Sequence, residues 1–178
     1  ETSAAQVSIA DTAFVTTKSA TGKSGTWLID PLNFTISPDS LPRTVAGMGA
    51  NTLSAALENG NVSIATSAVG GEAGNIYVNG ILAWVANSIL TLTAHNNIEF
   101  TKSVYASGTN AVVVLNPLNG FGSTFALKDG AVITLTGANA SFTVSGQAYT
   151  VIHDINQLQA MQNNLSGHYV LGQNIDAG

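Results

Sequence analysis

Read for hydrophobic and polar positions alone, the chain alternates. QVSIA (6–10), TWLID (26–30), NFTIS (33–37), NVSIAT (61–66), NIYVNG (75–80), ILTLTA (89–94) and NIEFT (97–101) place apolar residues at every second position. The pattern continues through AVVVLN (111–116), TFALKDG (124–130), AVITLTG (131–137), ASFTVSG (140–146) and AYTVIHD (148–154). Period 2 is the signature of a strand with one buried face. Each run is short. Asn59-Gly60, Asn79-Gly80, Asn119-Gly120 and Asp129-Gly130 fall between runs, and such pairs tolerate positive φ and make tight corners.

Two all-β architectures use short strands with frequent turns. Asn-Gly between alternating runs is a hairpin signal, which favours an antiparallel sandwich or barrel. Against it, strands begin at intervals of roughly ten residues, and pairs of intervals approach the ~20-residue repeat of a solenoid. The abundance of Asn, Thr and Ser points the same way. Small polar residues can stack on their own kind from layer to layer, while Val, Ile, Leu and Phe fill a long narrow core. The expectation is one all-β domain over 1–178, a parallel β-helix (solenoid), with 1–24 as a segment leading into it. In SILTLTAHNNIEFTKSVYA the inward set is Leu90, Leu92, Ile98, Phe100 and Val104.

Two segments break the period. NTLSAALENG (51–60) predicts a short helix with Leu53, Ala56 and Leu57 on one face, Thr52 as its N-cap and Gly60 just past its end. DINQLQAMQNNLSG (154–167) predicts a second, capped by Asp154 and stopped by Gly167. Its Ile155, Leu158, Met161 and Leu165 share a face. That face is expected to pack on the end of the β body, leaving Gln157, Gln159 and Asn163 in solvent.

Charged residues make up 8% of the chain, where an ordinary soluble domain has roughly 25%. No run of ~18 apolar residues occurs, because Asn, Ser, Thr and Gly interrupt each stretch, so no membrane span is expected. One arginine, Arg43, and a net charge of −5 leave no basic face for nucleic acid or anionic lipid. Cysteine is absent, which removes disulfides and thiolate metal sites. The chain opens on Glu1 with no signal-peptide pattern and no initiator Met, so an internal segment of a longer protein is expected.

Candidate chemistry is sparse. Gly22-Lys23-Ser24 fits the end of a phosphate-binding loop, but the leading glycine of G-x-x-x-x-G-K-[ST] is replaced by Thr17, and a strand pattern follows where a helix is required. His95, His153 and His168 have no partners at metal spacing. The acids stand singly, with no paired-carboxylate motif for glycoside hydrolysis. No catalytic, cofactor or metal residue is therefore assigned. The aromatic residues Tyr77, Trp84 and Tyr105, with Tyr149 and Tyr169 behind them, are candidates for stacking on sugar rings. Asn33, Asn61, Asn139 and Asn164 each open an Asn-x-Ser/Thr sequon and are candidate glycosylation sites.

Several of these pieces resemble one family. Trp27-Leu28-Ile29-Asp30-Pro31 followed by Phe34-Thr35-Ile36 resembles the "WL[IL]DP…[VF]TI" signature of two-partner-secreted exoproteins of the filamentous-haemagglutinin and high-molecular-weight adhesin type. NTLSAALENGNVSIAT (51–66) resembles their helix-then-strand unit, and GNIYVNGILAWVANSILTLTAHNNIEF (74–100) their recurring layer. YTVIHDINQLQAMQNNLSGHYVLGQNIDAG (149–178) resembles the element that closes the unit. The likeness spans roughly 25–178. NPLNG at 116–120 echoes the family's Asn-Pro-Asn-Gly secretion motif only loosely and lies far from the N-terminus.

The resemblance implies a right-handed parallel β-helix, exported through an outer-membrane partner and placed at the bacterial cell surface. It also implies adhesion to a host-cell or surface receptor, glycans included, without catalysis. Some members of the resembled group are glycosylated at such sequons. The alternatives are a polysaccharide-acting β-helix enzyme and a mechanical spacer without a ligand.

Overall fold

In the computed structural model, residues 2–38, 46–68, 72–118 and 124–178 are described. The strands run β1 (Thr2–Ser3), β2 (Thr26–Asp30), β3 (Phe34–Ser37), β4 (Gly47–Gly49), β5 (Asn61–Ala65), β6 (Ile76–Val78), β7 (Leu82–Trp84) and β8 (Ile89–Ala94). They continue with β9 (Ile98–Phe100), β10 (Val104–Ala106), β11 (Val112–Pro117), β12 (Phe125–Leu127), β13 (Ile133–Leu135), β14 (Ser141–Val144), β15 (Gln147–Ile152) and β16 (Tyr169–Leu171). Two short helices interrupt, α1 (Ala50–Glu58) and α2 (Ile155–Ala160).

The strands form three sheets. The first has the order β1-β2-β5-β8-β11-β14-β15-β16, the second β12-β9-β6-β3-β4 and the third β13-β10-β7. From β5 to β14 the chain visits the first, second and third sheets in turn, so each sheet receives every third strand. Among the described residues every strand pair is parallel except β14–β15, so the antiparallel sandwich is excluded.

Register explains why short alternating strands suffice. Trp27, Val62, Leu90, Val113 and Phe142 stack as one inward row of the first sheet, and Ile29, Ile64, Leu92 and Leu115 as the next. The second sheet stacks Phe34, Ile76, Ile98 and Phe125. The third stacks Leu82, Val104 and Ile133 beside Trp84, Ala106 and Leu135. The expected inward set, Leu90, Leu92, Ile98, Phe100 and Val104, is exposed by no more than 1%. Burying each such side chain is worth about 1.5–3 kcal/mol relative to leaving it in water. No single strand of three to six residues could retain its conformation alone. The rows make the strands mutually dependent.

The corners between sheets raise a second physical problem, because a backbone N–H there can leave the ladder without an acceptor. Asparagine side chains of the neighbouring layer accept instead. Asn75 N donates to Asn33 Oδ1 (2.7 Å), Asn97 N to Asn75 Oδ1 (3.0 Å) and Thr124 N to Asn97 Oδ1 (3.0 Å). A second column runs from Asn87 Oδ1, which accepts from Asn110 N, to Asn110 Oδ1, which accepts from Asn139 Nδ2. Most of these bonds join residues 22 to 29 apart. The exception spans 42 residues, Asn33 to Asn75, across the segment that contains α1.

Helix α1 occupies the position of a missing strand. Its Ser54 Oγ accepts from Ala83 N (3.1 Å) and its Glu58 Oε1 from Val85 N (2.7 Å), which covers the otherwise open edge of β7. Its apolar face, Leu53, Ala56 and Leu57, is buried as the sequence predicts. The predicted N-cap is wrong. The helix begins at Ala50 directly after β4, with Gly49 at the cap position and no side-chain cap, while Thr52 lies inside and donates to the Asp11 carbonyl (3.1 Å). That bond ties the 10–25 segment onto the helix. Thr17 N adds a second tie by donating to the Asn59 carbonyl (2.9 Å).

The C-terminal end departs further from expectation. Ser145 and Gly146 adopt positive φ (48° and 80°) and turn the chain back, so β15 runs antiparallel along β14. The hairpin therefore sits at Ser-Gly, whereas Asn59-Gly60 and Asn79-Gly80 lie at junctions between elements. An edge-to-face series closes this end of the core: Phe125–Phe142 (6.3 Å), Phe142–Tyr149 (5.9 Å) and Tyr149–His168 (5.7 Å). β15 lies along β14 at this end, and α2 follows it in the chain. Asp154 caps it as expected, accepting from Gln157 N (2.8 Å). The stripe expected to pack on the β body is not buried: Ile155 is 41% and Leu158 36% exposed, Met161 is half-buried and Leu165 is 87% exposed.

Candidate functional site

The five aromatic candidates separate into different roles. Trp84 is 2% exposed and points into the core from the third sheet, so its ring is not available to an outside ligand. Its indole N–H is buried without a partner. This corrects the assignment of Trp84 as a stacking residue. An alternating strand has two faces, and the inward row Trp84–Ala106–Leu135 takes this one. Tyr149 belongs to the aromatic series at the C-terminal end, and Tyr169 donates its hydroxyl to the Asn164 carbonyl (2.7 Å).

Tyr77 and Tyr105 face outward, on different sheets. Tyr105 is 43% exposed, central on the third sheet between Ala83 and Thr134. Ile81, Val85 and Val132 are also exposed and flank this face by register. Tyr77 is half-buried on the second sheet, in an outward row between Thr35 and Glu99. Its phenolic oxygen accepts from Asn75 Nδ2 (2.9 Å), which fixes the ring to the asparagine column. A cavity of about 200 Å³ lies beside it, lined also by Gln6, Asn33, Thr35 and Glu72.

The four sequon asparagines are not equivalent. Asn33 accepts from Asn75 N, Asn61 accepts from Ile89 N and donates to the Ser24 carbonyl, and Asn139 donates through Nδ2 to Asn110 Oδ1. All three bond to other layers of the β body. Asn164 is exposed in the segment after α2, and its side chain only accepts locally from Ser166 Oγ (3.0 Å).

The remaining chemistry is dispersed. His95 follows β8, His153 precedes α2 and His168 packs on Tyr149. Among the described residues no group of three or more His, Cys, Asp and Glu side chains gathers. Stacking places Glu99 beside Lys128 (2.8 Å) rather than beside another acid. Glu58 and Asp154 accept from backbone N–H groups. The Gly22-Lys23-Ser24 stretch is an exposed turn in which Ser19 Oγ accepts from Gly22 N (3.0 Å), and strand β2 follows it. Without an ensuing helix this turn lacks the aligned N–H groups of a phosphate cradle. Arg43 lies outside the described residues. No described helix is long and apolar enough to cross a membrane.

Sequence reasoning did not identify the asparagine columns or the cavity at Tyr77. A signal for the first was present: Asn33, Asn75 and Asn97 each stand directly before the first apolar residue of a second-sheet strand. The cavity had no such signal, because Gln6, Asn33 and the Glu72–Tyr77 stretch lie far apart in the chain. Compared with known proteins, the chain matches no family model, no curated protein and no solved structure.

Proposed function

We propose that this chain is a segment of a right-handed parallel β-helix, carried by an exported bacterial surface protein of the filamentous-haemagglutinin and high-molecular-weight adhesin type. Its role is structural and adhesive, without catalysis. The observation that carries the reading is the recurrence of strands: three parallel sheets each fed by every third strand, with asparagine columns bonding the corners. Strand connections that return to the same parallel sheet are right-handed in about 98% of cases, which supplies the hand. A solenoid of this kind offers long flat faces with little charge, suited to contact with other surfaces. The TWLIDP and NLSG…NIDA resemblances supply the family and, with it, the cell-surface location and the outer-membrane export partner.

Asn164 is the glycan acceptor we assign, because its amide is exposed and unbound to the β body while the other three sequon asparagines hold layers together.

The test is adhesion. The purified chain, fluorescently labelled, should bind host epithelial cells saturably, and excess unlabelled chain should compete. Absence of saturable binding to any cell or matrix surface would leave the spacer reading. Release of reducing ends or unsaturated sugars from pectin, alginate or hyaluronan would replace it with the enzyme reading.

A further inference from the structure

We infer that the cavity beside Tyr77 binds one neutral hexopyranose unit; this rests on the adhesive reading and names a ligand class and a site for it. Three observations converge there. The first is a platform that is already ordered. Tyr77 accepts from Asn75 Nδ2, and Asn75 Oδ1 in turn accepts from Asn96 Nδ2 and Asn97 N (3.0 Å each). The ring is thus held by a neighbouring layer and loses little freedom when a ligand arrives. Aromatic rings held this way offer a π face to the C–H face of a sugar.

The second is a set of polar groups with capacity to spare. Among the described residues, Glu72 has no hydrogen-bond or ion-pair partner, and neither does the Gln6 side chain. Asn33 uses its Oδ1 for the column, and its Nδ2 donates to no described group. A carboxylate accepts from two adjacent hydroxyls, and amides both donate and accept, the pattern that vicinal diols satisfy.

The third is size and sign. A cavity of about 200 Å³ is smaller than the roughly 300–1,000 Å³ of sites that enclose drug-sized ligands. It suits a single ring rather than a buried oligosaccharide. Among the described residues that line it Glu72 alone is charged, and the chain carries a net charge of −5. Acidic sugars are repelled, and a neutral sugar is accepted.

The experiment is a two-dimensional NMR titration of the isotopically labelled chain with methyl glucoside, methyl galactoside and methyl mannoside. N-acetylneuraminic acid and a tri-lysine peptide are the contrasting arms. At least one neutral hexoside should shift the amides of Gln6, Asn33, Glu72 and Tyr77 together, in a saturable way. Glu72→Gln should weaken that binding at least about tenfold, and Tyr77→Ala should abolish the shifts while far-UV circular dichroism stays unchanged. Should Tyr77→Ala perturb the fold, Glu72→Gln decides alone. The inference is overturned if no hexoside shifts these amides, if neuraminic acid or tri-lysine binds there in preference, or if Glu72→Gln binds as the parent does. Retained cell adhesion with no hexoside binding sinks this site and leaves the adhesive reading standing. Hexoside binding without cell adhesion sustains the site and counts against that reading.

Discussion

Replacing Asn75 by alanine tests whether the asparagine columns hold the layers together. Asn75 Oδ1 accepts from Asn97 N and from Asn96 Nδ2, and its Nδ2 donates to Tyr77. All three bonds are partly buried. Removing the side chain leaves the Asn97 N–H at a corner with no ladder acceptor, a loss of about 1–3 kcal/mol, and removes two further bonds worth about 0.5–1.5 kcal/mol each. Because these bonds share one side chain and relax together, the total should be about 2–4 kcal/mol rather than their sum. Asn87 is the internal comparison. It accepts one bond, from Asn110 N, in an exposed place where water can substitute, so Asn87→Ala should cost about 0.5–1 kcal/mol. Urea unfolding followed by far-UV circular dichroism measures both, and an unchanged m-value would show that the unfolded reference is the same. The corresponding fall in Tm for Asn75→Ala is roughly 5–15 °C for a domain of this size. If Asn75→Ala costs no more than Asn87→Ala, the columns follow from the fold without stabilising it, and the argument from unsatisfied corners fails.

Trp84→Ala should cost about 3–5 kcal/mol, as loss of a buried aromatic side chain does. Trp84→Phe should cost less than about 1.5 kcal/mol, because it keeps a ring and removes the unpartnered indole N–H; thermal melts separate the two, and equal losses would contradict the burial argument. Lys23→Ala in the exposed turn should change stability by less than about 0.5 kcal/mol and leave a nucleotide titration featureless, so a lost ATP signal would restore the phosphate-loop reading. Glycopeptide mass spectrometry of the protein from its native secreting cells should find modification at Asn164 and none at Asn33, Asn61 or Asn139, and occupancy of any of those three would refute the assignment from side-chain bonding.

Much of the architecture was legible because burial on one face of a strand leaves a period in the sequence. The alternating runs at 26–30, 61–66, 89–94 and 111–116 predicted strands that exist, and the inward set read from 88–106, Leu90, Leu92, Ile98, Phe100 and Val104, is buried. The same reading missed β7 as a strand of its own, since Leu82–Trp84 is too short to show a period. Capping at Asp154 was readable because it is a local bond over three residues. What failed was non-local. The sequence gives α2 an apolar stripe, but whether that stripe finds a surface depends on where the preceding strand goes. A left-handed pair at Ser145-Gly146 sends β15 back along β14, and no residue of the stripe that follows is buried. Trp84 and Tyr105 illustrate the same limit at the level of single side chains. Trp84 ends β7 and Tyr105 sits in the middle of β10, and the register between the two strands places one indole in the core and one phenol on the surface. The cavity at Tyr77 lies furthest from sequence, because Gln6 and Asn33 meet the Glu72–Tyr77 stretch only when separate segments stack. Local bonding and one-face burial are written along the chain. Which groups become neighbours across layers is decided by chain direction and register, and these are set when the tertiary structure forms.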